Sequence, residues 1–197
     1  MRLTDLSWPV RTARLLLRPA TEGDVEATWR FRRLPEVSRY LGWAADDLDH
    51  YRARYLEPAR LARSLVVEHD GDVVGDLMVR VTDGWAQAEV AEQAEAVEAE
   101  LGWTWDPAHG GRGLATEAAR TLLRLCFEDL GLRRVTAQCF ADNTASWRLM
   151  ERVGMRRETH GVADSLHRSG AWLDGFGYAL LADEWRRTAA RPDGGPV

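Results

Sequence analysis

The sequence predicts a mixed α+β domain on a mostly antiparallel sheet, and three observations carry that reading. Asp70-Gly71 lies between two β-rich runs, Ser64–His69 and 72–81, the pattern of a hairpin closed by a type I′ turn. Residues 100–105 lead through a glycine-dense turn into an amphipathic helix and then into a further β-rich run, Arg134–Phe140, forming a βαβ-like unit. A last β-rich run, Trp172–Leu181, closes the sheet. A chain of 197 residues suits one domain with a full core, assigned here to residues 1–187 with a flexible tail over 188–197.

Residues 12–19 read as a first strand stopped by Pro19. Thr21 then opens a helix, with Asp24 completing an approximate capping box and Val25, Thr28, Trp29 and Arg32 at helical spacing. Pro35 restarts a short helical piece through Tyr40, and Leu48, Tyr51 and Tyr55 mark another before Pro58. After the hairpin comes an alanine- and glutamate-rich stretch, 83–99, with Glu89, Glu92, Glu95 and Glu98 three apart. It reads as a solvated loop or short exposed helix inserted in a hairpin, or alternatively as an acidic platform for a cationic substrate. The helix after the glycine turn carries Ala115, Ala118, Ala119, Leu122, Leu123, Cys126, Phe127 and Leu130 on one stripe and stops at Gly131. Asp142-Asn143 caps another helix with Trp147, Met150 and Val153 on its face, closed by Gly154. Glu184-Trp185-Arg186 makes a final turn.

Composition narrows the function classes. A net charge of −5 argues against a nucleic-acid surface. No segment approaches the ~20 apolar residues of a membrane span, and residues 1–14 lack a signal-peptide run, so a soluble cytoplasmic protein is expected. Cys126 and Cys139 fall at apolar positions and read as free thiols. The histidines at 50, 69, 109, 160 and 167 form no ligand-spaced cluster, so no metal is expected.

The richest segment is His109-Gly110-Gly111-Arg112-Gly113-Leu114-Ala115-Thr116-Glu117-Ala118. Such a turn at a helix N-terminus cradles phosphate, because the first helical amides lack internal partners and the helix dipole favours an anion. A Walker A loop needs a lysine, and all 26 Lys+Arg residues of this chain are arginine. A dinucleotide fingerprint read from Gly111 and Gly113 puts Thr116 where its third small residue belongs, which weakens a nucleotide-cofactor oxidoreductase. The third form, Gly110-x-x-Gly113-x-Ala115, resembles the pyrophosphate loop of the GNAT acyl-coenzyme A N-acyltransferases. One helix and one strand later, the segment from Asn143 through Ser146, Leu149 and Gly154 to Met155 resembles a second motif of that family. The forms Gly113-Leu114-Ala115-Thr116-Glu117-Ala118 and Thr12-x-Arg14-Leu15-x-Leu17-Arg18-Pro19 look like the ribosomal-protein N-terminal acetyltransferase (RimJ/RimL-like) subgroup.

The resemblance implies a GNAT fold, its mostly antiparallel sheet splayed at the cofactor site and flanked by helices. It implies acetyl-coenzyme A as co-substrate and an amine acceptor, either a protein N-terminus or a small molecule, with a homodimer possible and neither nucleic acid nor membrane as partner. Backbone groups of Trp103, Thr104 and Trp105 would pair with the pantetheine arm. The loop Gly110, Gly111, Arg112, Gly113, Leu114, Ala115 and Thr116 would take the pyrophosphate, the Arg112 side chain either bonding phosphate or standing in solvent. Asn143 would touch the pantetheine arm or simply cap its helix. Glu100 is the expected general base, with Glu98 second; Glu100 could instead be a structural cross-strand partner. Several family members place a tyrosine where this chain has Met150, a thioether that cannot donate a proton, which leaves Ser146 to hydrogen-bond the coenzyme sulfur. Gly110 replaces the family's usual Gln or Arg, and the acidic insertion has no counterpart in the family core. The alternative function is a GNAT-fold module that binds acyl-coenzyme A without catalysis.

Overall fold

The computed structural model describes residues 3–189. Eight strands form one sheet in the order β1-β2-β3-β4-β5-β6-β8-β7. They are β1 Val10–Arg11, β2 Leu16–Pro19, β3 Ser64–His69, β4 Asp72–Thr82, β5 Glu98–Trp105, β6 Arg134–Phe140, β7 Arg156–Leu166 and β8 Trp172–Leu181. The helices are α1 Val25–Arg32, α2 Pro35–Ser38, α3 Leu48–Tyr55, α4 Pro58–Leu61, α5 Leu114–Arg124, α6 Thr144–Arg152 and α7 Ala182–Ala189. Every pairing is antiparallel except β5 with β6, which is the expected mixed architecture. Among the described residues no helix is long and apolar enough to cross a membrane.

The two-residue period of the strands sorts the sheet into two faces. Leu65, Val67, Leu77, Val79, Ala99, Leu101, Val135 and Ala137 point to one face and bury against the α5 stripe of Leu114, Ala118, Leu122 and Leu123. Fully burying one such leucine contributes about 1.5–3 kcal/mol. On the other face Val66 joins Val25, Tyr51 and Tyr55 under α1 and α3. Arg18 forks onto the buried Asp24, at 2.8 and 2.7 Å, and ties β2 to the turn that starts α1. Burial opposes the Asp24 charge, but Arg18 and the Thr21 amide outweigh it and hold the carboxyl below its ordinary value. The Thr21 N–H to Asp24 bond at 2.8 Å is half of the expected capping box.

The hairpin turn is as expected, with Asp70 and Gly71 at φ 52° and 89°. Other elements differ from the sequence reading. The expected first strand is two, β1 and β2, folded back around Thr12 to Arg14. β5 begins at Glu98, paired with Thr82, so the insertion is shorter by two residues, and its exposed 3₁₀ turns span Ala88–Ala94. The long helix begins at Leu114 and finishes in a π turn, Leu125–Asp129, before Gly131 at φ 68°. β7 has no counterpart in the sequence reading, because its residues are exposed on both faces and carry no alternation. The final turn is a full helix, α7, running to Ala189; the expected tail lies outside the described residues from position 190 on.

Candidate active site

Two local features make the site. The first is the turn between β5 and α5. Gly111 and Gly113 take left-handed backbone, φ 72° and 76°, and Gly113 is the N-cap of α5. The first helical bond is Glu117 N–H to the Gly113 carbonyl at 3.1 Å, and among the described residues the amides from Gly111 to Thr116 donate to no protein acceptor. These unpartnered donors at a helix N-terminus fit a pyrophosphate. Glu117 braces the turn from below, accepting from Thr12 Oγ1 at 2.6 Å, Arg14 N–H at 3.0 Å and Arg14 Nε at 2.7 Å. Arg14 Nη1 also donates to the Arg112 carbonyl at 2.8 Å. The Arg112 side chain does not enter the cradle. It lies against His69 Nε2 at 2.9 Å, while His69 Nδ1 meets the Arg14 carbonyl at 3.0 Å.

The second feature is a split in the sheet. β5 and β6 pair only over 98–101 and 134–137, and beyond Leu101 the β6-facing edge of β5 has no strand partner. A cavity of about 860 Å³ occupies the opening, lined by Gly102, Trp103, Thr104 and Trp105, by the glycine turn through Thr116, and by Asn143 and Ser146. Trp105 Nε1 is buried at this wall with no hydrogen-bond partner, as expected where a ligand's polar group completes the set. A Cβ on Gly75 would come within 2.6 Å of the Trp105 ring, so glycine there is what seats the indole. Asn143 Oδ1 accepts from Ser146 N–H at 3.3 Å, so Asn143 both caps α6 and lines the cavity.

Glu100 lies one rung before the split, opposite Thr136 on β6 and Arg80 on β4. Its Oε2 is ion-paired with Arg80, and it lines a second cavity of about 440 Å³ walled by the segment after α2 and by β6, β7 and β8. The two cavities share Tyr40, Gly42, Gln138 and Cys139. Ser146 lines the larger cavity and Glu100 only the smaller one, so the two meet only through the residues the cavities share. Glu98, the second choice, is engaged by Arg133 at 3.2 Å.

A family model described as an acetyltransferase (GNAT) domain matches residues 14–156, most of the chain. The chain belongs to the GNAT acetyltransferases. As a GNAT acetyltransferase it uses acetyl-coenzyme A to acetylate an amine. A GNAT-family acetyltransferase from Bacillus anthracis superposes with a TM-score of 0.76 at 26% identity, covering 89% of this chain and 99% of that one. Mycobacterium smegmatis RimJ, solved with a coenzyme A disulfide, shares the fold at a TM-score of 0.70 and 24% identity, over 89% and 88% of the two chains. The L-amino acid N-acetyltransferase AaaT of Escherichia coli is 26% identical over 82% of this chain and 94% of its own length. The uncharacterized N-acetyltransferase YnaD of Bacillus subtilis is 36% identical over 86 residues, 44% of this chain and half of that protein.

Several residues of this GNAT site were not singled out from the sequence. Arg32 forks onto Asp76, both bonds 2.6 Å, and reaches Thr104 Oγ1 at 2.9 Å, which fixes the floor of the cavity beside the split. Its place on the apolar stripe of α1 was the available signal. Arg152, at the C-terminal end of α6, lines the cavity with Nη1 3.4 Å from Thr116 Oγ1, and so sets a cation beside the cradle. Tyr51 and Tyr55 of α3 both belong to the core, and Tyr55 also lines the cavity together with Tyr40 and Trp43 from the segment between α2 and α3.

Cys139 gives a local test. Burial pushes its thiol up to about 11, although a hydrogen bond from Ser146 works against that. Since only the thiolate attacks a disulfide reagent, Cys139 reacts slowly at pH 8 and speeds up as pH rises toward that value. Stopped-flow thiol titration checks this, and saturating acetyl-coenzyme A slows the reaction further. A fast, coenzyme-insensitive reaction at pH 8 contradicts the placement of Cys139 at the cavity wall.

Proposed function

We propose that the protein acetylates a primary amine by direct transfer, the amine entering from the α1 and α3 face and meeting the thioester at the split between β5 and β6. The observation that carries this reading is that a cradle of unpartnered amides and an open strand edge adjoin the same cavity. Acetyl-coenzyme A supplies the acetyl group and the thiol leaving group. The chain supplies the rest: amides of Gly111 to Thr116 hold pyrophosphate, backbone of Trp103 to Trp105 aligns the arm, and the Ser146 hydroxyl hydrogen-bonds the sulfur as it gains charge. Glu100 takes the amine proton, directly or through one water, on Oε1, which has no protein partner among the described residues. An α-amine, with a pKa of about 7.7–8.0, needs less help from such a base than a lysine amine at about 10.4, so protein N-termini and small α-amines are the favoured acceptors.

The Arg80 ion pair favours a second reading, in which Glu100 is a structural cross-strand partner. Thiol release from acetyl-coenzyme A over a panel of amines separates the two. Glu100→Gln lowers kcat by roughly 10²-fold or more if the carboxylate is the base, with the loss relieved as pH rises and the amine deprotonates unaided. An unchanged kcat assigns Glu100 to structure. Coenzyme binding without turnover of any amine would leave the non-catalytic module.

A further inference from the structure

The larger cavity carries, on its helical side, cations that no carboxylate answers. Arg54, Arg60 and Arg63 line it, beside Arg32. Asp76 gives both its oxygens to Arg32, and Glu36, an exposed residue, is the other carboxylate of that wall. Among the described residues no ion pair reaches Arg54, Arg60 or Arg63. The guanidinium carbons of Arg54 and Arg60 instead lie 4.8 and 5.5 Å from the centroid of the Trp43 ring, and Arg63 Nε is buried with no hydrogen-bond partner. Burial first, and then the charge of Arg32, hold the Arg60 guanidinium below its ordinary value, although Asp76 and Tyr51 pull the other way. Crowded like charges repel, and an oxyanion seated among them relieves the repulsion and accepts from the unsatisfied donor.

The position fits an acceptor. Ser64 pairs with Met78, and Met78 with Gly102, so Arg63 borders the row of the sheet that ends where β5 leaves β6. Two strand spacings separate β3 from β5 there, roughly 10 Å, a span that an extended small substrate or the first residues of a peptide bridges. Arginine suits such a role, since its planar fork matches carboxylate and phosphate oxygens in pairs.

We propose that this end of the cavity is an oxyanion subsite, so that the acetylated amine carries a carboxylate or phosphate on its own skeleton, gripped by Arg60 and Arg63 with Arg54 and Trp43 at the mouth. The inference rests on the reading that the amine enters from the α1 and α3 face.

Two measurements test it. In the first, inorganic phosphate and glutarate are titrated into the full-length protein with tryptophan fluorescence as the readout. Both saturate, and Arg60→Gln or Arg63→Gln weakens binding about ten-fold, the scale of one lost charged hydrogen bond. Arg54 is exposed, so Arg54→Gln keeps the test readable if a variant at half-buried Arg60 or Arg63 fails to fold. In the second, kcat/KM is compared for matched amines: β-alanine and γ-aminobutyrate against amino alcohols of equal length, and phosphoethanolamine against ethanolamine. The anionic partner of one series is preferred about ten-fold or more, which also tells carboxylate from phosphate, and the variants abolish that ratio. General damage lowers both members of a pair and preserves the ratio. Turnover without preference for anionic amines, or oxyanion binding unaffected by all three variants, overturns the subsite. If no amine is turned over while the arginine variants still lose oxyanion binding, the entry reading fails and the subsite stands.

Discussion

Asp76→Ala lowers the melting temperature by roughly 10–15 °C, the largest stability loss expected from any single change at the site. The reason is what it leaves behind. Arg32 and Asp76 side chains are 13% and 11% exposed, and the carboxylate binds the guanidinium through both oxygens. Removing it strands a cation between α1 and the sheet, and breaking a buried pair from one side costs about 3–5 kcal/mol. For a domain of this size each kcal/mol moves the midpoint by about 2–4 °C. The pair itself is worth much less than its rupture, because desolvating both charges consumes most of their attraction. Arg32→Met combined with Asp76→Leu therefore recovers most of the lost stability, while the single variant does not. Thermal melts by circular dichroism decide: equal midpoints for single and double variants, or a loss below about 3 °C for Asp76→Ala, would show that the pair is solvated. The double variant also deprives Thr104 Oγ1 of the Arg32 donor. It should regain stability with impaired turnover, which separates the pair's part in folding from its part in shaping the cavity floor.

That pair also marks the border between what the sequence discloses and what it hides. The phosphate cradle is legible because it is local: six consecutive amides and the start of one helix make it, so residue types at fixed spacing specify it completely. The hairpin at Asp70-Gly71 is legible for the same reason. Arg32 and Asp76 are 44 residues apart, and nothing in either segment announces the other; only an arginine on an otherwise buried helical stripe hints that a counter-charge waits across the core. The helical end of the cavity is harder still, since α1, the segment after α2, α3, α4 and the start of β3 each add only one to four residues. β7 escapes for a different reason. As the edge strand it is wet on both faces, and its Arg156-Arg157-Glu158-Thr159-His160 run offers no periodicity, whereas pairing with β8 supplies the order that burial does not. Glu100 is a mixed case: the sequence puts it on the strand that leads to the split, but the Arg80 pairing that complicates its role appears only through register.

Gly113→Val raises KM for acetyl-coenzyme A at least about ten-fold, because it acts on the part of the site made of backbone. Space is not the obstacle, since an added Cβ would lie 3.6 Å from Arg14 Nη2, an ordinary contact. Conformation is. Gly113 sits at φ 76°, where a residue with a Cβ costs about 1–2 kcal/mol and a β-branched one more. To escape, the chain rotates the peptides on either side, and the N–H groups of Gly113's neighbours turn out of the cradle. Each charged hydrogen bond lost is worth about 1.5–3 kcal/mol, or ten-fold and upward in affinity. Gly113→Asn is the control, because asparagine tolerates the left-handed region and leaves the amides in place. Isothermal titration with coenzyme A, together with KM for acetyl-coenzyme A, distinguishes the variants. If asparagine and valine weaken binding equally, a side chain in the turn is what the ligand cannot accept; if asparagine binds as glycine does, the left-handed N-cap of α5 is what the pyrophosphate recognises.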